Sequence, residues 1–204
     1  MDDLELGLFQ PMITRCLAQE VAPFYQQWEE AGEIPRSLWL ALGAAGLLGI
    51  DLAEAYGGSE ADIAITQRVL EEMSRQGFGG LASAYNIHAN IVMPYVQRLG
   101  TPGQKEKWLP RMALGECLGA IAMSEPAAGS DLQGIRTTAV RQGEHYLING
   151  SKTFITNGWH ADLVIVVAKT DPAAGAKGTS LFLVERGMPG FTVGRRLQKL
   201  GLRA

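Results

Sequence analysis

Two short segments of the sequence combine residue types that could hold a cofactor. In the first, residues 120–131, an apolar stretch leads into small residues flanked by Ser124 and Ser130. Small residues let backbone N–H groups approach an anion closely, and the two hydroxyls can donate hydrogen bonds to phosphate or carbonyl oxygens. The segment therefore fits a ligand-binding turn, although an ordinary tight loop is the commoner cause of such a pattern.

The second segment, residues 151–158, places Phe154 and Thr156 two positions apart. In a strand, residues at that spacing share one face, so the ring could stack on a flat cofactor while the hydroxyl bonds a ring heteroatom. Core packing is the more frequent reason for an aromatic side chain in a strand. Taken singly, neither segment decides between a site and ordinary structure.

Other signatures of cofactor or metal binding are missing from the sequence. It contains no GxGxxG or GxxxxGK[ST] phosphate loop, no GxSxG serine elbow and no CxxC pair. The histidines His88, His145 and His160 are isolated from one another and from both cysteines, so we predict no metal site. The net charge of −3 argues against a general nucleic-acid-binding protein.

The spacing of apolar residues changes near residue 118, and this change predicts the elements that must position the two segments. Spacings of three and four predict helices over 11–31, 35–45, 63–75, 81–99 and from 102 to near 115, with capping boxes at Ser59 and Thr101. Short stretches rich in β-branched or aromatic residues predict strands at 136–141, 146–148, 153–155, 162–168, 180–185 and 191–194, and the dipeptide Asn149-Gly150 predicts a hairpin turn. We therefore predict an α+β protein, with a helical domain at 1–117 and a β domain at 118–204.

The charges divide at the same point. Residues 1–117 carry 8 Lys and Arg against 15 Asp and Glu, a balance of 8 − 15 = −7, whereas residues 118–204 carry 10 against 6, a balance of 10 − 6 = +4. A positive β half fits an anionic ligand such as a phosphorylated cofactor, and chance scatter over solvated surfaces fits as well.

Longer runs of residues resemble those of one enzyme family. The run MSEPAAGSD (residues 123–131) is similar to the (T/S)EPGAGSD run of the acyl-CoA dehydrogenases, and INGSKTFITNG (148–158) is similar to their INGxKxxITNG run. Shorter stretches at 47–58, 100–110 and 115–116 agree in the same order, so the resemblance covers nearly the whole chain. Residues 119–123 and 180–185 look most like the long-chain branch.

The resemblance implies a fold, a cofactor and a set of site residues. Members of the family bind FAD between a helical N-terminal domain and a β-barrel middle domain, which would correspond here to residues 1–117 and to the start of a barrel in 118–204. By matching position, the flavin-binding residues are expected to be Ile121, Ala122, Met123, Ser124, Gly129, Ser130, Phe154, Ile155 and Thr156. Ser124 would lie at the pyrimidine edge of the ring, Phe154 against its face and Thr156 at N5. The CoA portion of the substrate would be bound by Ser130, Ala176 and Lys177.

The chain departs from the family pattern in two places. Ala127 stands where the family usually has glycine, and a positive φ there would strain alanine by about 1 kcal/mol. The last residues resemble the interior of the family's middle domain, so the C-terminal helical bundle and its glutamate base are expected to lie beyond residue 204. No catalytic residue is therefore assigned, because Glu125 does not match the base, and these residues alone are expected to be inactive.

The implied function is FAD-dependent α,β-dehydrogenation of a fatty acyl-CoA to the trans-2-enoyl-CoA, with electrons passing to an electron-transfer flavoprotein. The complete protein is expected to be a homo-oligomer, either a tetramer or a dimer. The alternatives are an acyl-CoA oxidase or related flavin enzyme of the same fold, and a truncated non-catalytic fragment. Two cysteines and no visible targeting or transmembrane segment predict a cytoplasmic location, or a mitochondrial matrix in a eukaryote.

Overall fold

The computed structural model describes residues 3–203, which divide into two compact units. One unit contains residues 3–118 together with 195–203, and the other contains residues 119–194. The predicted α+β order, a helical part followed by a β part, is confirmed. Among the described residues, no helix is long and apolar enough to cross a membrane.

The first unit is helical. Its α-helices are α1 (Asp3–Cys16), α2 (Tyr25–Ala31), α3 (Arg36–Ala44), α4 (Ile63–Arg75), α5 (Gly79–Tyr85), α6 (Met93–Leu99) and α7 (Pro102–Ala113). Two π-helical segments, Leu17–Val21 and Asn86–Val92, follow α1 and α5 directly. The core consists of buried apolar side chains such as Leu42, Ile65 and Leu81.

The predicted capping box is confirmed at α7 and wrong at α4, although α4 itself spans the predicted residues 63–75. The Thr101 hydroxyl accepts a hydrogen bond from the Gln104 N–H at 3.3 Å, and Gln104 Oε1 accepts one from the Thr101 N–H at 2.9 Å, which completes the predicted capping box. The N-cap of α4 is Asp62, not Ser59, and its Oδ1 accepts from the Ala64 N–H at 2.8 Å. A φ of +48° at Glu60 lies outside the helical region, so no helix can begin at Ser59.

The two longest predicted helices are interrupted. The single helix predicted over 11–31 is wrong, because the helical backbone ends near Pro23 and α2 begins only at Tyr25. Proline lacks the N–H that would continue the ladder. The span 81–99 is helical throughout, but its middle third is π-helical, a form that is frequent at functional sites.

Two side chains with titratable groups are packed into the helical core. The Tyr85 hydroxyl donates to the Leu47 carbonyl at 2.6 Å, and burial raises the pKa of Tyr85 well above its ordinary range. His88 is fully buried, with Nε2 at 3.1 Å from the Met112 carbonyl and its ring against the edge of Trp39. Both residues have the partners expected of buried polar groups.

The second unit is built on a sheet of five strands: β1 (Gly119–Ala122), β2 (Thr138–Gln142), β3 (His145–Asn149), β4 (Leu163–Lys169) and β5 (Thr179–Glu185). The largely buried β4 is central: it pairs in parallel with β1, antiparallel with β5, and through one parallel bridge, Thr138 to Lys169, with β2. β2 and β3 form an antiparallel hairpin. Strand β1 therefore ends beside the middle of β4, within the first candidate segment.

Three strand-level predictions are wrong. Residues 153–155 and 191–194 form no strand; Phe154 has a φ of +56°, which is incompatible with an extended ladder. The hairpin turn is Gly143–Glu144 and not Asn149-Gly150, since Gln142 pairs with His145. A Cβ on Gly150 would lie 2.3 Å from Thr137 Oγ1, so close packing explains that glycine.

Candidate functional site

The first candidate segment begins within the buried strand β1 and continues into the turn after it. Ile121 and Ala122 are buried within the strand, Met123 and Ser124 are half-buried, and the residues after Ala128 are exposed. A tight turn is closed by two backbone hydrogen bonds, from Glu125 N–H to the Ala128 carbonyl at 2.8 Å and from Ala128 N–H to the Glu125 carbonyl at 3.1 Å. The segment thus changes from core strand to exposed turn within a few residues.

No contact within the described part of the chain requires a glycine at position 129 of this turn. Gly129 is exposed and lacks a positive φ, and a Cβ built on it meets no atom within 4 Å. Ala127 also lacks a positive φ, so the strain that a positive φ would impose on this alanine does not arise. Open space above Gly129 beside the exposed Ser130 fits the close approach of a large ligand.

The carboxylate of Glu125 connects this turn to neighbouring parts of the chain through three hydrogen bonds. Its Oε2 accepts a hydrogen bond from the Arg136 N–H at 2.6 Å, and its Oε1 accepts from the Thr137 N–H at 3.0 Å and from Lys152 Nζ at 2.9 Å. Burial alone would raise the pKa of Glu125, but interactions with Thr137, Lys152 and the Arg136 N–H outweigh burial and lower it to about 2. Glu125 is therefore a fixed carboxylate at neutral pH.

The second candidate segment lies directly beside the first. The Thr153 N–H donates to the Ser124 carbonyl at 3.0 Å, and Lys152 Nζ donates to the Met123 carbonyl at 2.9 Å. The Asn157 amide donates to the Gly119 carbonyl at 3.2 Å, at the start of β1. The structure therefore brings together the two segments that the sequence analysis selected separately.

Phe154 stands out within the second segment. Its side chain is 77% exposed, and its φ of +56° is a left-handed conformation that a bulky residue rarely adopts. Thr156 is exposed at the start of a turn, while Ile155 is half-buried and packs on the core cluster formed around β1 and β4. Because no strand forms here, the argument that two-residue spacing puts Phe154 and Thr156 on one face is wrong, although both remain exposed.

The predicted substrate residues lie on a separate turn of the same unit. Ala176 and Lys177 are exposed within the 3₁₀ turn Pro172–Gly178, which Asp171 caps by accepting the Ala173 N–H at 3.0 Å. This turn packs near the short turn Leu132–Gly134, which follows Ser130 closely in the chain. No group of three or more metal-ligating side chains occurs among residues 3–203.

No role for Lys152 is predicted from the sequence, and Glu125 is considered there only as a catalytic base. Both lie inside the two family-like runs, so the motif itself was the available signal. Only the three-dimensional structure shows that they form a buried pair, because 26 residues of intervening chain separate them.

Comparisons with known proteins agree on one family. Models of the acyl-CoA dehydrogenase N-terminal and middle domains match residues 5–116 and 120–204. The rat protein named long-chain specific acyl-CoA dehydrogenase, mitochondrial, is 48% identical over 98% of this chain and 46% of its own length. The chain thus spans about half the length of the curated relatives it matches.

Solved structures show the same likeness. A crystal structure of acyl-CoA dehydrogenase from Geobacillus kaustophilus has a TM-score of 0.94 at 48% identity, covering 98% of this chain and 53% of the other. The prolyl acyl carrier protein oxidase AnaB has a TM-score of 0.89 at 31% identity, covering all of this chain and 54% of the other.

Proposed function

Because the chain belongs to the acyl-CoA dehydrogenase family, we propose that it contributes to FAD-dependent α,β-dehydrogenation of a fatty acyl-CoA. One observation carries the proposal: the two family-like runs lie side by side, joined by the Thr153–Ser124 hydrogen bond. On this surface an exposed aromatic ring, exposed hydroxyls and an open glycine occur together. These are the groups that a flat ring with a phosphate tail requires.

In this proposal, the residues that hold FAD lie on the turn after β1 and on residues 154–156. Phe154 offers a ring face, Thr156 and Ser124 offer hydroxyls to polar edge atoms, and Gly129 and Ser130 receive the phosphates. Met123 and Ile155, which are half-buried, and the backbone of Ile121 and Ala122 would contribute further contacts to FAD. When bound, FAD supplies the acceptor for the hydride that leaves the β carbon.

The remaining chemistry is removal of the α proton, which the thioester carbonyl acidifies. Glu125 is unsuited to this step, since a carboxylate with a pKa of about 2 and bound to three N–H donors is a very weak base. Its role in the proposal is structural. We therefore keep the prediction that another part of the complete protein supplies the base.

The substrate and partners follow from the same proposal. Lys177 and Ala176, on a turn near Leu132–Gly134, would contact the phosphate-bearing part of CoA, with Ser130 on the adjoining segment. We further propose electron transfer to an electron-transfer flavoprotein and assembly as a homo-oligomer. Relatives named mitochondrial support a mitochondrial location in a eukaryote.

A second candidate is an oxidase of the same fold, favoured by the likeness to a protein described as an acyl carrier protein oxidase. Both candidates predict bound flavin and differ in the fate of its electrons. The decisive measurement uses the purified complete protein with a panel of acyl-CoA chain lengths under anaerobic conditions. Flavin absorbance near 450 nm that is bleached by acyl-CoA, with enoyl-CoA as product, supports the dehydrogenase. Stoichiometric peroxide in air supports the oxidase, and absence of flavin even after incubation with FAD contradicts both.

A further inference from the structure

A buried ion pair lies under the surface on which the proposed function depends. The Lys152 and Glu125 side chains are only 10% and 6% exposed, with Nζ and Oε1 separated by 2.9 Å. The same ammonium donates to the Met123 carbonyl at 2.9 Å, so one side chain of residues 151–158 binds both a side chain and the backbone of the turn after β1.

Stability alone is a poor explanation for such a pair. Desolvation of two charges offsets much of their attraction, and apolar replacements of similar volume are often as stable. A buried ion pair is, however, directional, and it costs free energy when either partner moves away. The pair is therefore better suited to fixing a distance between two chain segments than to adding stability beyond that of apolar side chains in the same place.

The pair fixes the distance between the two sets of residues that are expected to contact the cofactor. On one side, Met123 and Glu125 flank Ser124; on the other, Lys152 lies two residues before Phe154 and four before Thr156. Between them runs one backbone hydrogen bond, from Thr153 to Ser124. Residues 153–155 have no strand partners, so the Lys152 contacts add to the positioning that the Asn157–Gly119 hydrogen bond and the packing of Ile155 provide.

We propose that Lys152 and Glu125 form a positioning pair that sets the separation of the Ser124 turn from the Phe154–Thr156 segment, and thereby the surroundings of the bound flavin. This role rests on the proposed function, because it is defined relative to FAD. Neither residue contacts the reacting atoms in the proposal; both act through Ser124, Phe154 and Thr156. The pair also explains why a glutamate beside the cofactor segment is not a base.

The test uses the full protein and the variants Lys152→Met, Lys152→Arg and Glu125→Gln. Lys152→Met keeps the aliphatic length while removing the charge and donors. It should weaken FAD binding by about tenfold and alter the visible circular dichroism of the flavin. Lys152→Arg, which restores a cation, should stay within about threefold of the parent. Lys169→Met is the matched control, because it removes the same charge from the end of β4, and it should leave both readouts unchanged.

The outcomes separate the inference from the proposed function. A parent protein that binds no FAD refutes the proposed function and the positioning role with it. A parent that binds FAD, together with a Lys152→Met variant of lower melting temperature but unchanged FAD affinity and flavin spectrum, overturns the positioning role alone. If Lys152→Met is not recovered folded, Glu125→Gln serves instead, since it removes the negative charge and places an NH2 group where one of the two accepting oxygens was. An unchanged flavin spectrum and affinity in that variant also overturns the role.

Discussion

Acid should weaken the second unit through one carboxylate. The pKa of Glu125 is lowered from 4.5 to about 2 because donors from Thr137, Lys152 and the Arg136 backbone outweigh the effect of burial. A group whose pKa is lower in the folded state binds fewer protons when folded than when unfolded. The stabilisation from Glu125 is therefore fully present above pH 4.5 and is lost as pH falls towards 2.

The magnitude follows from the two pKa values. Their difference, 4.5 − 2 = 2.5, at about 1.36 kcal/mol per pKa unit gives a contribution on the order of 3 kcal/mol. That is a sizeable part of the stability of an ordinary domain, which is about 5–15 kcal/mol. Glutamine is nearly isosteric with protonated glutamate, so Glu125→Gln mimics the acid form at every pH.

The assay is urea unfolding of the FAD-free parent and Glu125→Gln between pH 7 and pH 3, with Glu144→Gln as the control in an exposed hairpin turn. The parent should be more stable than Glu125→Gln by a constant amount above pH 5, and the gap should close progressively below pH 4.5. Glu144→Gln should follow the parent throughout. A gap between parent and Glu125→Gln that stays constant down to pH 3 would refute the assigned pKa and its causes.

Four further outcomes are expected. Phe154→Ala should weaken FAD binding by about 1–3 kcal/mol in a calorimetric titration, through loss of ring contact. Phe154→Gly, which also removes the strain at φ +56°, should give FAD-free protein that is roughly 0.5–1 kcal/mol more stable than Phe154→Ala; equal unfolding free energies would contradict the strain argument. Lys177→Ala in the complete enzyme should raise KM for acyl-CoA severalfold at low salt and leave kcat nearly unchanged, because a phosphate contact is equal in ground and transition states. A KM equal to that of the parent would show that Lys177 is only a solvated surface residue. Thr101→Ala should lower the free energy of unfolding by about 1 kcal/mol while Thr101→Ser changes it little, and identical urea midpoints for all three proteins would show that the capping box is dispensable.

Local signals predicted much of the fold. The capping box at Thr101 needs only residues three positions apart, and it forms as predicted. Four of the six predicted strands occur, with bounds shifted by one or two residues, because their β-branched runs pack into one sheet. The family-like runs identify the two segments that the structure brings together, without information on the contact between them.

The features that could not be predicted from the sequence depend on contacts between residues that lie far apart in the chain. Residues 153–155 have strand-forming side chains, but the Thr153 N–H is bound by the Ser124 carbonyl and Phe154 turns to positive φ. The Asn149-Gly150 dipeptide has strong turn propensity, yet Thr137 packs against Gly150 and the chain reverses earlier, at Gly143–Glu144. The Lys152–Glu125 pair joins residues 27 apart, and no local pattern encodes it.

The distribution of strain in the second unit is itself an argument about function. A left-handed conformation costs a non-glycine residue about 1–2 kcal/mol, and an exposed phenylalanine recovers little of that cost through burial. Ala127 avoids the cost, whereas Phe154 incurs it although the residue is 77% exposed. Strain of this kind persists where the surrounding structure enforces it, and Lys152, anchored two residues earlier, is placed to do so. The folded chain therefore holds an aromatic face outward at a free-energy cost, which is the arrangement expected of a surface completed by a bound ring.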